Sequence, residues 1–270
     1  MTATLARPAP LMSRLWHDAP GYTWLALLLT AALVPLTAAL LLDTRLFQGD
    51  PIWLKPVKFH IAFTIYLATL AIYARFMPDG LRPRRWRIFA GVIIAAILFE
   101  VIWIGAAAAL GQASHFNETS GLWIALYALA GVGAVTLTSA SLAMGLQVRA
   151  NRATGLAPAL HLSLWLGLCL TFMLTVIVAG TMSSMGGHHV GLTVTGARVP
   201  VMGWSREVGD LRVAHFLATH ALHAIPLAGL AAIRLLPGRH ATATVVAASL
   251  GYSALVLGLF LQALAGLPLI

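Results

Sequence analysis

Charge is scarce in this chain. Asp, Glu, Lys and Arg make up only 9% of its 270 residues, against about one quarter in an ordinary soluble domain. With 60% hydrophobic residues and a mean hydropathy of +0.88, the chain carries more apolar surface than a water-soluble fold of this length can hide. Cysteine is nearly absent too. Cys169 stands alone, which excludes an intrachain disulfide, and inside an apolar run it reads as a small filler. The HExxH zinc signature and the repeated histidine boxes of membrane desaturases are missing, as are soluble domains, long linkers and internal repeats.

What remains is a set of apolar runs of about 20 residues, the length that crosses a hydrocarbon core roughly 30 Å thick. Seven lie near 22–42, 57–76, 87–110, 121–147, 158–182, 211–233 and 242–268. Only helices and closed barrels satisfy their backbone groups in lipid, and these runs are too long and continuous for barrel strands. The fold class is therefore all-α, a polytopic transmembrane bundle of about seven helices forming a single domain over 1–270. The first run exceeds a signal-peptide core and reads as a retained helix.

Arginine and lysine set the orientation. With a cytoplasmic N-terminus, Arg7, Arg14, Arg75, Arg82, Arg84, Arg85, Arg87, Arg149, Arg152, Arg234 and Arg239 gather inside. Only Arg45, Lys55, Lys58, Arg198, Arg206 and Arg212 lie outside, so the C-terminus is expected outside. The net charge of +9 then belongs to topology and to contact with the lipid bilayer, not to nucleic acid. Most acids and histidines also map to the outer side, and the chemistry is expected to face outward.

The stretch GDLRVAHFLATHALHAIP at 209–226 concentrates that chemistry. On a helix from Leu211, Arg212, His215, Thr219, His220 and His223 fall within an arc of about 140°, with the three histidines roughly 6, 14 and 18 Å deep. Asp210 is placed to cap this helix. Glu100, about 15 Å below the outer end of the third span, matches that depth, so a meeting with His220 or His223 is geometrically allowed. A carboxyl at such a level is costly and marks a functional site by default.

Three outer segments accompany this pair. PIWLKPVKFH at 51–60 holds the only two lysines beside fifteen arginines, and Pro56 fits a first helical turn that places Lys58 and His60 just inside the second span. In GQASHFNETSG at 111–121, His115 sits in a polar knot, and Asn117 or Ser120 is placed to cap the fourth helix. The loop 183–210 contains HHVGLTVTGARVPVMGW, two β-prone runs around Thr195-Gly196, and is expected to form a hairpin or irregular lid between the fifth and sixth spans.

The combination WLKPVKF, SHFN and GDLRVAHF resembles that of an uncharacterised group of bacterial multi-pass membrane proteins. The resemblance implies a seven-helix inner-membrane protein and carries no activity with it. From the residues alone, three functions are open. One is a membrane metalloenzyme acting on a lipidic or quinone-like substrate, with a transition metal or haem held by His215, His220, His115 and His60 and with Glu100, Lys58 and Arg212 as chemical groups. The second is a proton-coupled carrier of a small lipophilic or anionic substrate, with Glu100 and His220 as relay. The third is a non-catalytic sensor or assembly partner. Oligomeric state is not legible.

Overall fold

The computed structural model describes residues 10–270, so Arg7 lies outside the described residues. Seven helices among them are long and apolar enough to cross a membrane: Pro20–Leu42, Leu54–Ala74, Arg84–Ala109, Gly121–Ala150, Pro158–Ser184, Leu211–Leu235 and Gly238–Leu264. The protein is an all-α, multi-pass membrane protein. Each helix overlaps an expected span, and the ends differ by up to four residues in either direction. Arg84 to Arg87 begin one span and Gly238 to His240 another, because long basic side chains reach out to water while their backbone stays hydrogen-bonded.

The chain divides into two compact units, Met1–Gln112 and Ala113–Ile270. In the first, α1 (Leu11–Asp18) precedes α2 (Pro20–Leu42), a β1–β2 hairpin (Leu46–Phe47, Asp50–Pro51), α3 (Leu54–Ala74) and α4 (Arg84–Ala109). Helix α1 is a structural surprise, being too short to register among spans. The Asp18 carbonyl accepts the Leu81 amide at 2.8 Å, and Gly80 is required there because an added Cβ would lie 2.9 Å from that carbonyl. Pro20 opens α2 at a position where its missing N–H costs no helical bond. Gln48 and Gly49 both take left-handed φ angles, as a two-residue hairpin turn demands.

The second unit holds α5 (Gly121–Ala150), α6 (Pro158–Ser184), the β3–β4 pair (His189–Val190, Gly209–Asp210), α7 (Leu211–Leu235) and α8 (Gly238–Leu264). Helix α6 packs against α5, α7 and α8, and α7 packs against α8. Lipid is as apolar as leucine, so close backbone approach has to hold such helices together. Small residues supply it. A Cβ on Gly145 would meet Cys169 Sγ at 2.8 Å, and one on Gly167 would meet Pro226 at 2.8 Å. Gly229 sits directly against Ser163. The Leu222 amide, one turn before Pro226, donates to Thr171 Oγ1 of α6 at 2.7 Å.

Of the hairpin and the irregular lid that the sequence left open for 183–210, the segment takes the irregular form. No hairpin turns at Thr195-Gly196. The strands pair at the base instead, His189 with Asp210 and Val190 with Gly209, and a single bridge joins Arg198 to Ser205. The β-prone run fails to pair because its amides bind a side chain: Glu207 accepts from the backbone of Val194, Thr195 and Ala197 and from the Thr195 hydroxyl.

Candidate functional site

Glu100 occupies the buried face of α4 with Ile93, Ile97, Ile104 and Ala107. It is only 2% exposed, and neither carboxyl oxygen has a hydrogen-bond partner. Nine residues from the end of the helix, it lies about 14 Å deep. Lys55 is the cation whose field reaches it. That ammonium also lies 5.7 Å from the centroid of the Phe59 ring, a cation–π distance. Lys58 is half-buried on the same helix. Helix α3 begins at Leu54, so both lysines and Pro56 fall in its first two turns, as the sequence implied.

His60 is 7% exposed, and its Nδ1 lies 2.8 Å from the Pro56 carbonyl. A carbonyl only accepts, so Nδ1 carries the proton and Nε2 is left as the acceptor of the neutral ring. His60 lines a cavity of about 420 Å³ walled by Ala32, Pro35, Trp53, Val101 and Gly105 among others. Trp53 is fixed at its wall by donating Nε1 to Asp43 Oδ2 at 2.8 Å. Arg45 binds the same carboxylate at 2.7 Å and donates to the Ala109 carbonyl at the end of α4 at 3.1 Å. Hydrogen bonds from Arg45 and Trp53 hold the Asp43 carboxyl well below the usual carboxylate range.

In the second unit, α7 presents its small and apolar residues Ala214, Ala218, Ala221, Ile225 and Gly229 to the protein core. At 100° per residue, Arg212, Thr219 and His223 lie about 120–160° around the helix from the centre of that packing face. His215 Nδ1 is shielded and makes no hydrogen bond. His220 Nδ1 lies 2.6 Å from the Phe216 carbonyl, and its ring is 5.5 Å from that of His223. His215 and His220 project about 140° apart. Among the described residues, no group of three or more His, Cys, Asp or Glu is placed to hold a metal ion.

Asp210 caps α7 as expected, accepting the Arg212 amide. The Arg212 guanidinium, expected to be a chemical group, binds Asp210 at 2.6 Å and the Gly203 carbonyl at 2.6 Å. The Ser205 amide adds a bond of 2.9 Å, and His189 Nε2 lies 3.4 Å away. Burial alone would raise the Asp210 carboxyl. Hydrogen bonds from His189 and Arg212, the Arg212 charge and the Ser205 amide outweigh it and hold the group below the usual carboxylate range. The whole 183–210 segment is thereby fastened to the start of α7.

His115 belongs to an aromatic row. Its ring is 5.8 Å from Tyr127, Phe116 lies 5.4 Å from Tyr127 and 6.4 Å from His188, and His188 meets His189 edge-on with ring centroids 4.2 Å apart. Of the expected site residues, the first unit thus holds Glu100, Lys58 and His60, and the second holds His115, Arg212, His215 and His220. Lys55, the Asp43 clasp and the aromatic row were not foreseen. No family model matches the chain, and no curated protein or solved structure matches it significantly.

Proposed function

We propose that this is an inner-membrane protein with its N-terminus in the cytoplasm, in which Glu100 takes up and releases a proton as the relay of a carrier for a small lipophilic or anionic solute. One observation carries this reading: a carboxyl 2% exposed with no hydrogen-bond donor on either oxygen. Ionised and unpaired groups are costly at membrane depth. Such a group either pairs with Lys55 or takes a proton, and exchange between these two conditions is what a proton-coupled step needs. Infrared difference spectroscopy across a pH titration tests it. A carboxylic C=O band that titrates in the wild type and vanishes in Glu100→Gln is expected; the absence of any exchanging band assignable to Glu100 over the folded range refutes it.

The histidine side of α7 favours a second reading, a metal- or haem-bearing enzyme acting on a lipidic or quinone-like substrate. It rests on His215, whose Nδ1 is shielded and uncommitted, and on His220, whose Nε2 is the acceptor nitrogen. Elemental analysis with a visible spectrum, on protein prepared without chelator or histidine tag, decides it. Metal or a haem band lost in His215→Ala or His220→Ala supports the reading. Absence of both after metal supplementation removes it.

A further inference from the structure

The cavity of the first unit is separate from Glu100. Val101, Ile102, Gly105 and Ala106 line it, and at 100° per residue the centre of that set lies about 170° around α4 from Glu100. Ile102 is 67% exposed, so this side of α4 faces outward, toward lipid. The opposite wall is Ala32, Pro35, Leu36 and Ala39 of α2. Ala39 lies about 5 Å and Ala32 about 15 Å from the end of α2, and Ala106 and Val101 span comparable depths on α4. Ends of α2 and α4 and the start of α3 share one side of the first unit. The cavity is a groove descending from the membrane surface to about mid-depth.

Almost every wall atom is apolar, as an acyl or isoprenoid chain requires. His60 is the exception. It lies about 9 Å below the start of α3, and with Nδ1 committed to Pro56, Nε2 is the polar atom the ring has left. A polar nitrogen in an apolar groove at this depth is costly without a partner. In its neutral form it accepts and does not donate, so the partner must bring a hydroxyl or another donor. One turn deeper on the same face of α3, the Thr64 hydroxyl is also buried without a hydrogen bond. Trp53, held by Asp43, walls the groove beside the membrane surface.

We propose that this groove binds a membrane-soluble alcohol or phenol, a long apolar chain lying between α2 and α4 with its hydroxyl donating to His60 Nε2. A lipid alcohol and a quinol share this chemistry. The site goes beyond the proton-relay reading and does not depend on it, because Glu100 faces the other way.

The test uses the full-length protein in phosphatidylcholine nanodiscs. A farnesol carrying a tail diazirine is photolysed beside its methyl ether, which has the same chain and no donor. Labelling of 32–39 or 101–106 is expected to favour the alcohol about fivefold, the factor one ordinary hydrogen bond confers. His60→Leu should bring the alcohol down to the level of the ether. Gly105→Phe should reduce both, since Gly105 lines the groove and a Cβ there meets nothing within 4 Å; an unchanged unfolding temperature of this variant is the control. Competition by unlabelled farnesol or by a decyl quinol then distinguishes the two sources. Equal labelling by alcohol and ether in the wild type would mean that ordinary acyl chains fill the groove, and labelling confined to other segments would mean that the groove is not the site; either result overturns the proposal. If His60→Leu does not fold, the alcohol-to-ether ratio and Gly105→Phe decide the matter alone.

Discussion

Glu100 and Asp210 are equally hidden, each 2% exposed, yet their surroundings are opposite. Asp210 gathers the Arg212 guanidinium, two backbone amides and His189. Glu100 gathers no hydrogen bond. A buried carboxylate surrounded by donors is a fastening, because removing it strands every donor. A buried carboxyl without donors contributes little to holding the fold and is kept for what it can exchange. The contrast teaches that burial alone does not identify a working acid; the count of its donors does.

The largest effect should come from Asp210→Ala. It leaves the Arg212 charge and the Ser205 amide uncompensated, and loss of one partner of a buried pair costs about 3–5 kcal/mol. Thermal unfolding in detergent should show it, with Asp210→Asn recovering part. Glu100→Gln should shift stability by less than about 1 kcal/mol while abolishing proton exchange. If it unfolds the protein as Asp210→Ala does, the contrast is broken.

Acid sharpens the comparison further. The folded Asp210 carboxyl lies below the ordinary value of about 3.9, so its contribution is complete above that value and is lost as pH falls through the folded one. Glu207 behaves with the same sign. Its hydrogen bonds from the Thr195 hydroxyl and the Ala197 and Val194 amides lower it to about 2. Protection of the Val194, Thr195 and Ala197 amides, taken relative to the intrinsic exchange rate at each pH, should be retained at pH 5 and fall as pH approaches 2. Glu207→Gln should give the smallest effect, faster exchange at those amides at neutral pH with the global unfolding temperature unchanged. In the second reading of function, His215→Ala and His220→Ala should change metal content while His17→Ala and His240→Ala do not; identical behaviour of all four would discard that reading.

The spans were legible because twenty apolar residues in sequence have one physical solution in lipid. The Asp210 and Ser120 caps were legible for a similar reason, since short polar side chains before a helix bind its first amides. Helix α1 was not, because eight residues with a mixed pattern fall below the span length. For the 183–210 segment, hairpin and irregular lid stayed open because the choice rests on Glu207, a carboxylate that captures the amides a strand would have paired. Glu100 stood out as a lone acid in an apolar run, but Lys55 could not be chosen over Lys58 by depth. A long flexible lysine at a helix start acts on groups well below its own backbone. The His60 groove was out of reach altogether, since it depends on which faces of α2 and α4 leave space between them.

The Leu222 amide of α7 donates to the Thr171 hydroxyl of α6 at 2.7 Å, and that hydroxyl donates in turn to the Gly167 carbonyl of its own helix. Helix α7 is therefore joined to its neighbour by a hydrogen bond from its backbone as well as by packing. During synthesis α6 leaves the ribosome first, so the acceptor already stands in the membrane when the donor arrives. The order of the chain and the order of assembly agree, and a swap of these two segments in a permuted gene would ask α7 to wait in lipid without the hydroxyl that its Leu222 amide bonds.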